Sequence, residues 1–285
     1  MGEVFIGSEA IAAAKLTEYQ LRRWYRPIFR DVYVPKEAAP TLRDRTIGAW
    51  LWSRRRAVIA GVAASALHGA AWVDADVPIE LVFRNSRRHS GLIVRHEALA
   101  EDEITRVAGI PVTTRARTAF DLGRHLERGE AVARLDALMR SRVFSIEEVL
   151  LLAKRHRSAR QVRQLRELLP LVDGGGASPQ ESRLRLLFID AGLPRPTTQF
   201  PIVDERARVV RWADMAWESY MVAAEYDGDQ HRTNRAAYVK DMRVLRKLAD
   251  MGWIVVRVIK EDTDKDVVER AWTALVSRGW RPDRR

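Results

Sequence analysis

The sequence predicts an α/β protein in three stretches: a short helical unit with a strand at 1–38, a mixed α/β region at 39–172, and a C-terminal α/β core at 178–285. Three observations carry this. Helical and strand patterns alternate at the C-terminal end in the order α, β, β, β, α, β, α. Asp173-Gly174-Gly175-Gly176-Ala177 is a glycine-rich break, read as a linker. Hydrophobic residues make up 47% of the 285, enough to bury cores in two or three domains of ordinary size.

The N-terminal unit opens with a helix capped by Ser8 and running through Lys15. Thr17 and Gln20 have the spacing of a capping box, so a second helix starts at Glu18 and reaches about Tyr25, with Leu21 and Tyr25 on one face and Arg22 and Arg23 elsewhere. Pro27 is expected to stop it. Phe29 to Val34 alternates like a strand and ends at Pro35. Two short helices, the second basic, followed by a strand, are the layout of a winged helix-turn-helix.

The middle region reads as helices at 41–53, 60–70, 115–126, 128–141 and 145–169, with strands at Ile79–Phe83, Leu92–His96 and Ile110–Thr113. Basic clusters at Arg54-Arg55-Arg56 and Arg84-Asn85-Ser86-Arg87-Arg88 fall in expected turns. No catalytic constellation is visible here, and His68, His89 and His96 are too scattered for a metal site.

In the C-terminal core, Ser178-Pro179-Gln180-Glu181 combines an N-cap serine, proline at the first helical position and a glutamate at the third, opening a helix to about Ala191. Extended segments follow at 197–203, 208–217 and 220–227, a helix at 235–250, a strand from Trp253 to Val258 and a last helix at 264–278.

Composition limits the chemistry. There is no cysteine, which removes disulfides, thiol nucleophiles and thiolate zinc sites. No apolar run reaches the roughly 18 residues of a membrane span and no secretion signal opens the chain, so the expected location is the cytoplasm, with no membrane partner. The net charge is +11; residues 171–285 carry 20 basic and 18 acidic side chains, leaving 29 and 20, or +9, to the first 170. A polyanionic partner, nucleic acid above all, fits that excess.

The carboxylates of the core form the strongest pattern. Tyr220 to Asp227 is apolar and then abruptly acidic. Alternation along a strand puts Glu225 and Asp227 on one face, roughly 7 Å apart. An antiparallel partner strand through Trp212 to Ala216 brings Asp214 up to them. Three such carboxylates are costly unless a cation neutralises them, and hard oxygen ligands point to Mg²⁺ or Mn²⁺, which can activate water at a phosphodiester. The plainer alternatives are Asp214 and Glu225 as strand-end carboxylates paired with Arg211 or Arg257, Asp227 as a turn former before Gly228, and Glu181 as a cap. His231 is a candidate general acid or base, and Arg243 and Arg246 are candidate nucleic-acid contacts.

Two resemblances add to this. Ser178 to Arg185, Ala191-Gly192-Leu193-Pro194, Asp214-Met215-Ala216-Trp217, Glu225-Tyr226-Asp227-Gly228 with His231, Asp241 with Arg246, and Gly252-Trp253 before Val256-Arg257-Val258 together resemble the very-short-patch-repair-endonuclease-like family of the PD-(D/E)XK nuclease superfamily. The resemblance implies a restriction-endonuclease-like fold, a divalent metal on Asp214 and Glu225, and Glu181 as the acidic residue of the leading helix. It also exposes a departure. Asp227 stands where the superfamily carries lysine, and Lys240, Arg243 or His231 are the candidates to supply that charge. Residues 1–140, through Ala13 to Arg23, Asp31 to Val34, Ala64 to Gly69, Gly109 to Thr114 and Arg117 to Leu122, resemble the AbiEi antitoxin family of type IV toxin–antitoxin systems. That implies a winged-helix DNA reader with Arg22 and Arg23 on groove or phosphate, and a toxin or regulatory protein as partner. The expectation is a metal-dependent DNA endonuclease with Asp214, Glu225, Asp227, Glu181 and His231 in the site. The alternative is a non-catalytic DNA-binding regulator whose nuclease-like domain is degenerate, and cleavage of RNA is a third.

Overall fold

The computed structural model describes residues 4–84, 89–227 and 235–282. The chain divides into two compact units, Met1–Pro170 and Leu171–Arg285. Both are mixed α/β, with mixed sheets flanked by helices.

The first unit begins β1 (Phe5–Ile6), α1 (Gly7–Ala12), α2 (Glu18–Trp24), β2 (Tyr25–Phe29) and β3 (Val32–Pro35), with the strands in the antiparallel order β1-β3-β2. The capping box forms as its spacing predicts: Thr17 Oγ1 accepts from Gln20 N at 3.2 Å, and Gln20 Oε1 accepts from Thr17 N at 2.9 Å. Thr17→Ala is expected to cost about 1 kcal/mol, read by urea unfolding. Three details differ from the sequence reading. Helix α1 runs from Gly7 only to Ala12 with Ile6 as its N-cap, and Ser8, inside the helix, donates its hydroxyl to Asp31 at 2.5 Å instead of capping. Helix α2 ends at Trp24, before Pro27, which lies within β2 opposite Tyr33. The single strand expected over 29–34 is a hairpin. Asp31 takes a left-handed φ of 63°, and its carboxylate accepts from the Ser8 N–H at 2.9 Å and from Arg54 at 2.8 Å, so a turn is fixed where alternation alone implied continuity.

Then follow α3 (Leu42–Trp52), β4 (Val58–Ala60), α4 (Gly61–Leu67), β5 (Ile79–Val82), β6 (Leu92–Arg95), β7 (Ile104–Val107), β8 (Ile110–Thr113), α5 (Arg115–His125), α6 (Arg128–Ser141), α7 (Ile146–Arg155) and α8 (Val162–Leu168). The five strands lie in the order β6-β5-β4-β8-β7, with β5–β6 and β4–β8 parallel. One core of Ile6, Phe29, Val32, Ala49, Leu51, Ile59, Ile79, Leu81 and Val112 joins both sheets through α3. The long helix expected at 145–169 is two helices: α7 ends at Arg155, and α8 starts at Val162 behind Gln161, a left-handed N-cap at φ 61°. Arg54 and Arg55, at φ 56° and 64°, pair with Asp31 and Glu9, so much of this basic cluster is neutralised within the fold.

The second unit contains α9 (Pro179–Asp190), β9 (Thr197–Val203), β10 (Val209–Trp217), β11 (Val222–Asp227), α10 (Arg235–Asp250), β12 (Ile254–Ile259) and α11 (Asp264–Ser277), in the order read from the sequence. The sheet runs β12-β11-β10-β9; β9, β10 and β11 are antiparallel, and β11 and β12 parallel. On one face α9 and α11 bury Leu184, Phe188, Met215, Trp217, Val222, Ala224, Val256 and Leu275. On the other, Leu248 and Val244 of α10 cover Ala213, Ala216 and Ala223. The glycine-rich stretch 173–177 lies inside this unit. A Cβ on Gly175 would fall 1.9 Å from Thr198 Oγ1, so only glycine fits.

Candidate functional site

The carboxylates of the second unit gather where the regular alternation of β10 fails. Ala213 belongs to the α10 side of the sheet and Met215 to the α9 side, although residues two apart on an even strand share a face. The switch falls at Asp214, and Gln199 in the neighbouring strand takes a left-handed φ of 48°. The kink leaves Asp214 between two groups. Its Oδ2 accepts from the Tyr226 N–H at 2.8 Å. Burial, then the nearby charge of Glu181, pushes its carboxyl up to about 7.

Glu181 does what a cap does. Its N–H donates to Ser178 Oγ at 3.2 Å, its Oε2 accepts from Ala177 N at 2.9 Å, and Gln199 Nε2 donates to the same oxygen at 3.0 Å. Glu225, 3% exposed, is gripped by Arg211 through both oxygens, Nε to Oε1 at 2.7 Å and Nη2 to Oε2 at 2.6 Å. The third arm of the fork, Nη1, reaches Asp241 on α10 at 2.6 Å. Arg257, beside Glu225 in the parallel register, pairs with Asp241 at 2.9 Å and also with Asp227. Burial pushes the Glu225 carboxyl above its usual range against the pull of Arg211.

The structure therefore brings Asp214 and Glu225 to adjoining antiparallel strands and ties Asp227 into the same network, with arginines as the cations. Both Glu225 oxygens already accept N–H groups, so these residues as arranged do not fit a divalent ion. Arg243 and Arg246 are exposed on α10, and His231 lies outside the described residues.

Among the described residues, the one group of three carboxylate or imidazole ligand atoms all within 4.8 Å of one another is Glu97, Asp121 and His125, in the first unit. It is part of a buried ion network that the sequence did not reveal. Arg117, 1% exposed, donates to Asp121 at 3.1 Å, to Glu97 at 2.8 Å and to Glu103. Arg124 donates to Glu97 at 2.7 Å and to Asp121 at 3.2 Å, and His125 Nε2 lies 3.0 Å from Glu97. Burial alone would raise Glu97, but the hydrogen bonds of His125 and Arg124 outweigh it and hold that carboxyl at about 2. Here too the cations are guanidinium groups. The available signal was a polar stripe, Arg117, Asp121 and Arg124, at helical spacing inside an otherwise buried helix. The histidines His68, His89 and His96 form no common site: His68 bonds the Thr113 carbonyl at 2.8 Å, His89 bonds Ser90 at 2.8 Å, and His96 is exposed.

At the other end, α2 presents an exposed basic and aromatic surface. Tyr19 and Trp24 are 66% and 51% exposed, and Arg22 and Arg23 are exposed between them. Arg22 pairs with Glu18 at 2.9 Å, and Arg23 donates to the Tyr19 hydroxyl at 3.0 Å.

Fold and sites define a two-unit mixed α/β protein, with a basic aromatic helix near its start and arginine-neutralised carboxylates in both units. The chain is 32% identical over 248 residues to the Mycobacterium tuberculosis proteins named uncharacterized protein MT2308 and uncharacterized protein Rv2248, covering 86% of this chain and 88% of each of them. It belongs to their family. Residues 52–171 match the family model of the AbiEi antitoxin C-terminal domain. That match takes in the stretches at 64–69, 109–114 and 117–122 on which the AbiEi resemblance rested, leaves out those at 13–23 and 31–34, reaches beyond residue 140 to α8, and stops where the second unit begins. No solved structure gives a significant match.

Proposed function

We propose that the chain is a DNA-binding regulator of the antitoxin kind, acting with a toxin partner of a type IV toxin–antitoxin system. The observation that carries this is the AbiEi antitoxin match over residues 52–171. The +9 balance of the first 170 residues and the exposed Tyr19, Arg22, Arg23 and Trp24 of α2 support it. In this reading α1, α2 and the β2–β3 hairpin form a winged helix-turn-helix and α2 enters the groove. No described helix is long and apolar enough to cross a membrane. The test is a salt titration of binding to duplex DNA from upstream of the protein's own gene. Arg22→Ala with Arg23→Ala is expected to lower the slope of log K against log salt by about 2. An unchanged slope removes α2 from the interface.

A second reading, a metal-dependent DNA endonuclease with a restriction-endonuclease-like core and Mg²⁺ or Mn²⁺ on Asp214, Glu225 and Asp227, is favoured by the kink that sets Asp214 near Glu181 and Glu225. It requires Arg211 to leave Glu225. Supercoiled, linear, single-stranded and mismatched DNA incubated with Mg²⁺ or Mn²⁺, and again with chelator, decides it. Wild type and Asp214→Ala giving the same result on every substrate ends the enzyme reading.

A further inference from the structure

We propose that Arg211 is the resident cation of the C-terminal carboxylate cluster, holding the place a divalent ion would take, and that its removal opens the oxygens it holds on Glu225 and Asp241 to a divalent cation. The proposal concerns the second unit alone. It rests on the reading of that unit as self-neutralised, and DNA binding by α2 can fail without touching it.

The geometry is that of a charge built into the chain. A guanidinium presents its N–H groups in a fixed planar fork that matches a carboxylate through two parallel bonds. Arg211 uses Nε and Nη2 on the two oxygens of Glu225 and Nη1 on Asp241, at 2.7, 2.6 and 2.6 Å. Those are the oxygens an octahedral Mg²⁺ or Mn²⁺ would need, and an oxygen that accepts a guanidinium N–H at this distance faces a positive group, not an open coordination position. Glu225 is 3% exposed with Arg211 in place, so losing that partner strips the carboxylate of its principal counter-charge.

The kink at Asp214 explains how Arg211 comes to be there. Without it, Arg211 and Ala213 would share the face of Met215 and Trp217, against α9 and α11. With it, Ala213 turns to the α10 side, where Asp241 and Glu225 lie. The same distortion thus sets Asp214 beside Glu181 and swings Arg211 into the cluster.

The charge balance sets the direction of the effect. Glu181, Asp214, Glu225, Asp227 and Asp241 supply five carboxyl groups, against the guanidinium groups of Arg211 and Arg257. Arg257 is already committed to Asp227 and Asp241. Deleting Arg211 leaves both oxygens of Glu225 and one of Asp241 without the guanidinium they share, and Arg257 as the one remaining cation of the pair named above.

The test uses the full chain and Mn²⁺ as probe, followed by titration calorimetry and by thermal unfolding with Mn²⁺ or with chelator. Wild type is expected to show the same melting temperature in both and no stoichiometric Mn²⁺ heat. Arg211→Ala is expected to melt lower in chelator, to recover with Mn²⁺, and to bind Mn²⁺ at least about tenfold more tightly than wild type. Adding Glu225→Gln to that variant should abolish the gain. Arg211→Gln, close in size, should respond like Arg211→Ala, and Arg211→Lys, which keeps a charge, should not; these two carry the test if the alanine variant does not fold. Stoichiometric Mn²⁺ binding by wild type that Glu225→Gln removes overturns the proposal. So does an Arg211 variant that folds and binds no better than wild type.

Discussion

Replacing Arg117 by alanine is expected to lower the unfolding free energy by about 3–5 kcal/mol, because breaking one side of a buried ion network strands the charges on the other. Arg117 holds Asp121, Glu97, Glu103 and the Ala98 carbonyl at once. Asp121 is fully buried, and burial already pushes its carboxyl upward even with Arg117 in contact. Without the guanidinium, Asp121 and Glu103, 2% and 1% exposed, face one cation fewer. A second variant separates the charge from the volume. Arg117→Met with Asp121→Leu, which removes both signs and keeps the volume, should recover much of the loss. Urea unfolding of both variants measures it. A loss below about 1 kcal/mol in Arg117→Ala would place the network at the level of a surface pair and refute the account.

The second large effect is a pH dependence set by Asp214. Its carboxyl stands at about 7 in the fold, against a usual 3.8. Below 3.8 both folded and unfolded chains carry the proton and the group contributes nothing. As pH rises, the unfolded chain ionises first, so stability falls until the folded pKa is passed. The full loss is on the order of 4 kcal/mol above pH 7, and about 2–3 kcal/mol of it falls between pH 5 and 8. Asp214→Asn removes the charge and should be more stable than wild type at pH 8, with the advantage shrinking by that amount at pH 5. Equal differences at the two pH values would mean that Asp214 is ionised in the fold throughout.

The parts legible in the sequence were those written in local signals. Ser178 and Pro179 open α9, Thr17 and Gln20 cap α2, and Gly252 closes α10 before β12. The order of the second unit followed from these and from apolar periodicity. The parts that stayed hidden depend on distant partners. Val58–Ala60 is too short to declare itself a strand until β5 and β8 flank it. Asp31 becomes a turn only because Ser8 and Arg54 reach it. Glu97 and Glu103 stand 20 and 14 residues before Arg117, outside any helical spacing, so the ion network could not be read along the chain. The candidate site was half legible for the same reason. Strand alternation put Glu225 and Asp227 together and raised Arg211 and Arg257 as counter-charges. The kink that lets Arg211 rather than a metal satisfy Glu225 belongs to two strands at once.

The turn at Arg30 and Asp31 bears on how any duplex could be read. It is two residues long and tied down by Ser8, by Arg54 and by His89, which accepts from the Arg30 N–H at 3.2 Å. A hairpin fastened at its tip has no loose arm with which to follow a phosphate strand across a groove. In the reading proposed above the groove contact is α2, whose 7 residues span about 10 Å, the height of roughly three stacked base pairs. An address that short recurs throughout any genome. Selectivity would then have to come from counting, by two chains on a repeated half-site or by a second surface of the same chain, and the spacing between half-sites would say more about the assembly than the bases within one.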